Sequence, residues 1–187
     1  MQRARKIKST LVGIGVAALL LSGCFPYTVR YVHLEADGIS HVRMLCGDSG
    51  PPTGAVFEHG DVSILVALEP HGLSREKESF VKVRAPRSYD VSIPDPIATF
   101  TFPGADGMDD VEVALKVAPP DWQGPFVEEL RQQSPKKEYR FTFSDYPSQQ
   151  MSGSLKLPAL FVEGSVVQVP ELKFERKRYG GLAPLNC

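Results

Sequence analysis

The sequence predicts an all-β domain, and three observations support this fold class. Several short segments alternate apolar and polar residues, as strands with one buried face do. Sixteen glycines and sixteen prolines are spread along the chain and divide it into short segments. Helical patterning is limited to 126–133, which Pro125 precedes and Pro135 follows. We therefore predict a β-sandwich, immunoglobulin-like or transthyretin-like, with at most one short helix.

The first two predicted strands are 27–35 and 39–46, because both alternate and Asp37-Gly38 between them favours a two-residue hairpin turn. In that register His41 pairs with Leu34, and one face is expected to be buried. Its residues are Tyr27, Val29, Tyr31, Val42, Met44 and Cys46. Further strands are predicted in order at 62–68, 80–84, 97–102, 111–117, 139–143, 153–157 and 166–179, the last with a break at Pro170.

Basic, apolar and small residues follow one another before Cys24. Four basic residues lie within 3–8, an apolar run covers 11–21, and Ser22-Gly23 precede the cysteine. This is the layout of a secretory signal. A membrane-spanning helix is the alternative, but the run is shorter than the roughly 20 residues that a span needs.

The segment Leu21-Ser22-Gly23-Cys24 resembles the lipobox of bacterial lipoproteins, over residues 1–24 only. The resemblance implies removal of residues 1–23, a diacylglyceryl group on Cys24 and an N-terminus acylated by a fatty acid such as palmitate. Two acyl chains anchor a protein firmly. Phe25, instead of Asp, follows the cysteine, which in the enterobacterial sorting pattern implies the outer membrane. We expect the domain to face the periplasm.

Residues 24–187 are predicted to form a single domain anchored through Cys24. Removing the four basic residues of the signal from the 21 Lys and Arg leaves 17 against 22 Asp and Glu, a net charge near −5. An acidic chain argues against nucleic acid as a partner. The first strand is predicted to start soon after the anchor, so the domain is expected close to the membrane.

Cys46 and Cys187 remain once Cys24 is assigned to lipid, and an oxidising periplasm favours a disulfide between them. Such a bridge closes a loop of roughly 140 residues, worth about 5 kcal/mol in the chain-entropy model. The alternative is a pair of free thiols or half a metal site. Neither a C-x-x-C spacing nor a histidine near the C-terminus supports that alternative.

The segment Gly47-Asp48-Ser49-Gly50-Pro51 resembles the nucleophile segments of chymotrypsin-like proteases and of GDSL hydrolases. The first family places its base upstream, but only about 25 mature residues precede Ser49. The second requires a histidine near the C-terminus, and none follows His71. We interpret the segment as a turn and expect no catalytic residues.

The four histidines, His33, His41, His59 and His71, suggest a metal site, with Glu58 and Asp61 beside His59. In the two-residue hairpin register, however, His33 and His41 lie on opposite faces, and only a three-residue turn brings them together. No ligand pair has a recognised spacing, so we expect no metal and no cofactor.

Two features are candidate interfaces. The run 173–178 is strongly basic and includes Lys173, Arg176, Lys177 and Arg178, which suit lipid headgroups or an acidic partner. The alternative is a charged edge strand that resists aggregation. Trp122 lies in a proline-bounded loop and suits an interface anchor or a cap on the core.

These observations lead to two functional hypotheses. The first is a non-enzymatic outer-membrane lipoprotein that contacts an envelope protein partner as a structural, assembly or inhibitory factor. The second is a periplasmic lipoprotein that binds a small ligand or glycan. Fold class by itself does not decide between them.

Overall fold

The computed structural model describes residues 24–43, 50–69, 78–104, 107–118, 134–147 and 150–184. Within these ranges every regular element is a β-strand, so the all-β prediction is confirmed. No helix in this part of the chain is long and apolar enough to cross a bilayer. The predicted signal at 1–23 and the short helix predicted at 126–133 lie outside the described residues.

Thirteen strands are described, and they overlap every predicted segment. Their bounds are β1 (Cys24–Glu35), β2 (Ile39–Arg43), β3 (Pro52–His59), β4 (Val62–Ala67), β5 (Phe80–Pro86), β6 (Val91–Ser92), β7 (Ile97–Pro103), β8 (Met108–Ala118), β9 (Lys136–Phe143), β10 (Ser152–Lys156), β11 (Leu160–Val162), β12 (Ser165–Val167) and β13 (Leu172–Pro184).

Three strands were not predicted, for different reasons. β3 begins at Pro52 and contains Gly54, and both residue types are uncommon in strands. Proline is compatible with the first position of a strand, and pairing with β2 and β4 makes the segment extended. β6 and β11 have two and three residues, too few for an alternating pattern to be recognised.

Ten strands form one antiparallel sheet in the order β1-β13-β10-β7-β8-β9-β5-β4-β3-β2, and β12-β11-β6 form a small second sheet. β8 joins two halves of the large sheet, since Met108–Ala114 pair with β7 and Leu115–Ala118 with β9. The outermost strands, β1 and β2, are consecutive in sequence. The sheet therefore curls into a near-barrel, consistent with a sandwich-like arrangement.

The core lies between the two halves of this sheet, and Phe100 of β7 is at its centre. Phe100 has no exposed surface, and three aromatic rings surround it edge-on. Its ring centroid lies 5.5 Å from those of Phe143 and Tyr146 and 6.0 Å from that of Phe174. These residues come from three separate parts of the chain, so this cluster ties both halves together.

The predicted hairpin between β1 and β2 is wrong. β1 pairs with β13 and β2 pairs with β3, while residues 36–38 connect the two strands without a ladder between them. The connection has three residues instead of two, and Gly38 has a φ of 72°. A two-residue turn with two positive φ values, the geometry that suits hairpin twist, occurs instead at Glu163-Gly164 between β11 and β12.

The prediction that Val29 and Tyr31 lie on a buried face of β1 is confirmed, but residues of the opposite face also belong to the core. The hydrophobic core cluster contains Val32 and Leu34, not the alternate residues Val29 and Tyr31. Those two are nevertheless buried, with 7% and 9% of their surface exposed. Along its length β1 therefore buries residues of both faces. Of the expected partners, Val42 is half-buried, whereas Met44 and Cys46 lie outside the described residues.

Candidate functional site

The basic run 173–178 is divided between the two faces of β13. Alternation places Lys173 and Lys177 on one face and Arg176 and Arg178 on the other. The four basic residues of the run therefore do not share one face. The edge-strand alternative fails over 173–175, because β1 and β10 both pair with β13 there, whereas 176–184 pair with β1 alone.

Arg176 is held within the fold by its contacts, although it also lines a groove over β13. Its guanidinium bonds the carboxylate of Glu69, and its Nε donates to the carbonyl oxygen of Gln150 at 2.9 Å. Only 17% of the Arg176 side chain is exposed. We interpret Arg176 as the residue that fixes the chain segments at Glu69 and Gln150 against β13.

An open groove of about 520 Å³ lies over β13 and the start of β10. Met108 and Met151 line it, with 63% and 64% of their surfaces exposed. Charged residues of both signs complete it. We call this feature the Met groove and define it by His33, Glu35, Met108, Met151, Lys173 and Glu175.

The Met groove joins Lys173, a predicted interface residue, to two methionines that the sequence did not single out. Met108 and Met151 are 43 residues apart in the chain, and no pattern links them. Flexible, polarisable methionine side chains suit surfaces that bind other proteins. Exposure of two large apolar side chains on one groove is the structural signal for a binding surface.

Lys177, another basic residue of the run 173–178, has an ion-pair partner on its own face of β13. Its Nζ lies 3.3 Å from Glu175 Oε2, with 39% of the Lys177 side chain exposed. An exposed pair of this kind adds little to stability. Lys177 therefore remains close to the Met groove without contributing an unpaired charge.

His33 and His41, which the predicted register separates, stack against each other. Their ring centroids are 5.0 Å apart and the rings are inclined by 8°. The three-residue connection between β1 and β2 produces this contact. His41 Nε2 also donates to the carbonyl oxygen of Leu34 at 2.7 Å. Side chains thus bridge β1 and β2 where a backbone ladder is lacking.

Burial lowers the pKa of His33, and the positive charges of Lys177 and His41 lower that pKa further. The buried Nδ1 of His33 has no hydrogen-bond partner in the described part of the chain. A protonated imidazole needs two acceptors, one for each N–H group. The surroundings of His33 therefore favour its neutral form.

This pKa shift predicts acid sensitivity. The unfolded chain takes up a proton on His33 near pH 6.5, whereas the folded protein does so only at lower pH. Stability is therefore lost as the pH falls through 6.5. We expect the free energy of unfolding to fall less steeply between about pH 7.5 and about pH 5 in His33→Gln than in the parent protein.

Denaturant titrations at a series of pH values measure this slope. His59→Gln is the matched control, because His59 is exposed at the end of β3 and its replacement should leave the parent slope unchanged. Equal slopes for His33→Gln and the parent protein would show that His33 has no part in the acid response.

Glu138 is the centre of a further charged cluster, on β5 and β9. Arg84 Nε donates to Glu138 Oε2 at 2.8 Å, and Lys82 Nζ lies 3.4 Å from Oε1. Burial acts to raise the pKa of Glu138, but the hydrogen bonds and charges of Arg84 and Lys82 outweigh it and lower the pKa. The three charges hold neighbouring strands together, so we assign this cluster to the fold.

The part of β13 that no longer pairs with β10 pairs with β1 alone. These two strands form a two-stranded ribbon. We call it the terminal ribbon and define it as residues 24–32 paired with 176–184. On one of its faces Thr28 pairs with Gly180 and Arg30 with Arg178, and all four residues are exposed. Arg178, predicted as an interface residue, thus belongs to a surface apart from the Met groove.

Several candidate residues lie outside the described residues: Cys46, Ser49, His71, Trp122 and Cys187. The disulfide between Cys46 and Cys187 and the interface role of Trp122 remain predictions. Cys24 is described as the first residue of β1. In the described ranges no group of three or more His, Cys, Asp and Glu side chains has the arrangement of a metal site.

Comparison of the chain with protein families, curated proteins and solved structures finds no match.

Proposed function

We propose that this protein is a lipid-anchored component of the bacterial outer membrane that faces the periplasm and binds a protein partner without catalysing a reaction. One observation carries this proposal. β1 begins at Cys24, the residue whose surrounding sequence resembles a lipobox. Cys24 already pairs with Pro184 in the ladder between β1 and β13. The anchor residue is therefore itself part of a paired strand of the domain, which favours work at the bilayer surface.

The Met groove is the surface we assign to the partner. Met108 and Met151 supply adaptable apolar contacts, while Lys173 and Glu175 supply charges of opposite sign. An apolar centre with a charged surround is the usual composition of a protein interface. The chemistry suits a protein segment with apolar side chains flanked by both acidic and basic residues.

Binding of a small ligand or glycan is the second candidate, and the volume of the Met groove favours it. Ligand sites typically measure about 300–1,000 Å³, and the groove has about 520 Å³. However, its described lining contains neither Tyr nor Trp, the residues that stack on sugar rings, and Phe174 is buried. The groove is also open, which favours a protein partner.

In-cell crosslinking of the lipidated protein followed by mass spectrometry tests the proposal. We expect one dominant protein partner, and we expect the double replacement Met108→Lys with Met151→Lys to reduce its yield about tenfold, since desolvated apolar anchors dominate binding. The two lysines that the replacements introduce would also be buried in the contact, which opposes association.

Val166→Lys is the matched control, because Val166 is an exposed apolar residue on the small sheet. Its replacement should leave the yield unchanged. Equal loss in the control and the groove variant would remove the Met groove as the partner surface. Recovery of glycan alone, together with a rise in melting temperature on adding that glycan, would favour the second candidate.

A further inference from the structure

We propose that the exposed face of the terminal ribbon binds phosphate groups of anionic lipid headgroups, so that the ribbon lies along the bilayer surface. This inference rests on the proposed anchoring through Cys24 and adds an orientation of the domain on the membrane. The face is formed by Thr28, Arg30, Arg178 and Gly180.

Arg30 and Arg178 face each other directly in the ladder of β1 and β13. Like charges at opposed positions destabilise a sheet. Neither side chain has an ion pair or hydrogen bond with any residue of the described ranges, whereas nearby Arg176 and Lys177 are paired with Glu69 and Glu175. Two opposed guanidinium groups thus remain on the surface, and no described residue supplies a counter-charge to them.

An anion between Arg30 and Arg178 relieves this repulsion. Guanidinium groups bind phosphate oxygens through two parallel hydrogen bonds, a geometry that lysine lacks. The neighbouring pair, Thr28 and Gly180, is small and exposed. Small neighbours leave the two guanidinium groups accessible to a flat surface, which a bilayer provides.

The distance from the anchor determines how the ribbon must lie. Arg30 is six residues from Cys24, or about 20 Å along an extended strand. A ribbon standing upright on the bilayer would hold Arg30 beyond the screening length of about 8–10 Å, where headgroup charges act weakly. A ribbon lying along the surface brings Arg30 and Arg178 to the headgroups, where each basic residue is attracted to anionic lipid.

An acidic protein is the other class of partner that this face suits. The membrane is favoured because an acylated Cys24 keeps the ribbon at the bilayer permanently, and no comparable feature brings an acidic protein to it. A tethered site binds at the high effective concentration that its tether imposes.

Chemical footprinting of arginine on the lipidated protein tests the inference. The protein is reconstituted in vesicles of phosphatidylcholine alone or with about 30 mol% phosphatidylglycerol, a content that creates a negative surface potential. Phenylglyoxal modification at each arginine is then quantified by mass spectrometry. Arg84 is an internal control, because it is exposed on β5 and not on the terminal ribbon. Vesicle flotation and the acyl mass on Cys24 are measured in the same samples.

We expect modification of Arg30 and Arg178 to fall about threefold on the anionic vesicles and to recover in about 1 M salt, which screens surface charge. Arg84 should react equally in both vesicles. Unchanged reactivity of Arg30 and Arg178 in a protein that floats and carries acyl mass would overturn this inference and leave the proposed function intact. A protein without acyl mass that does not float would overturn both.

Two further experiments distinguish anionic lipid from other molecules that could supply the negative charge. Inorganic phosphate, added to protein in phosphatidylcholine vesicles, should give no protection. Equal protection by inorganic phosphate would mean that the site takes free phosphate, contrary to the inference. Protection that requires a crosslinked protein partner, and not anionic lipid, would assign the face to an acidic protein and also overturn it.

Discussion

Replacement of Phe100 by alanine is expected to lower the free energy of unfolding by about 4 kcal/mol, the range observed for large buried aromatic residues. Phe100 has no exposed surface, and its ring contacts Phe143, Tyr146 and Phe174. Its removal leaves a cavity at the point where both halves of the sheet meet. Rings held in this edge-on geometry cannot close such a cavity without losing their own contacts.

Urea denaturation followed by circular dichroism measures this change. Val117→Ala provides the control, because 82% of Val117 is exposed and surface replacements usually alter stability by no more than about 0.5 kcal/mol. A loss of less than about 1 kcal/mol for Phe100→Ala would contradict the central position of Phe100 in the core.

Replacement of Cys24 by alanine is expected to abolish membrane attachment. Without a thiol no diacylglyceryl group can be attached, and the precursor should keep residues 1–23 and lack acyl mass. The proposed anchor depends on two acyl chains, since a single chain holds a protein only marginally. Intact mass spectrometry and membrane fractionation measure both effects.

Cys46→Ala is the matched control, since it removes a different thiol and should leave processing and acylation unchanged. A processed, membrane-bound product from Cys24→Ala would refute the lipid anchor and, with it, the proposed function. A precursor found in both variants would point to a general effect of cysteine loss on export instead.

The candidate site shows where sequence reasoning reached its limit. Lys173 and Arg178 were predicted as interface residues, yet they belong to different surfaces because a strand alternates its side chains. Arg176 has the same charge but bonds Glu69, 107 residues away in the chain. Arg30 was not singled out, since its opposition to Arg178 exists only through the ladder of β1 and β13.

The sequence alone determined the all-β class and most strand positions, because alternation and turn residues are local signals. It also carries the lipobox resemblance, which depends on consecutive residues. Tertiary structure alone decided that β1 pairs with β13, that His33 stacks on His41, and that Met108 and Met151 share a groove. The strand pairing and the groove join residues distant in the chain, whereas the histidine contact depends on the length of the connection at 36–38. A shift of one residue in any ladder would exchange the faces involved.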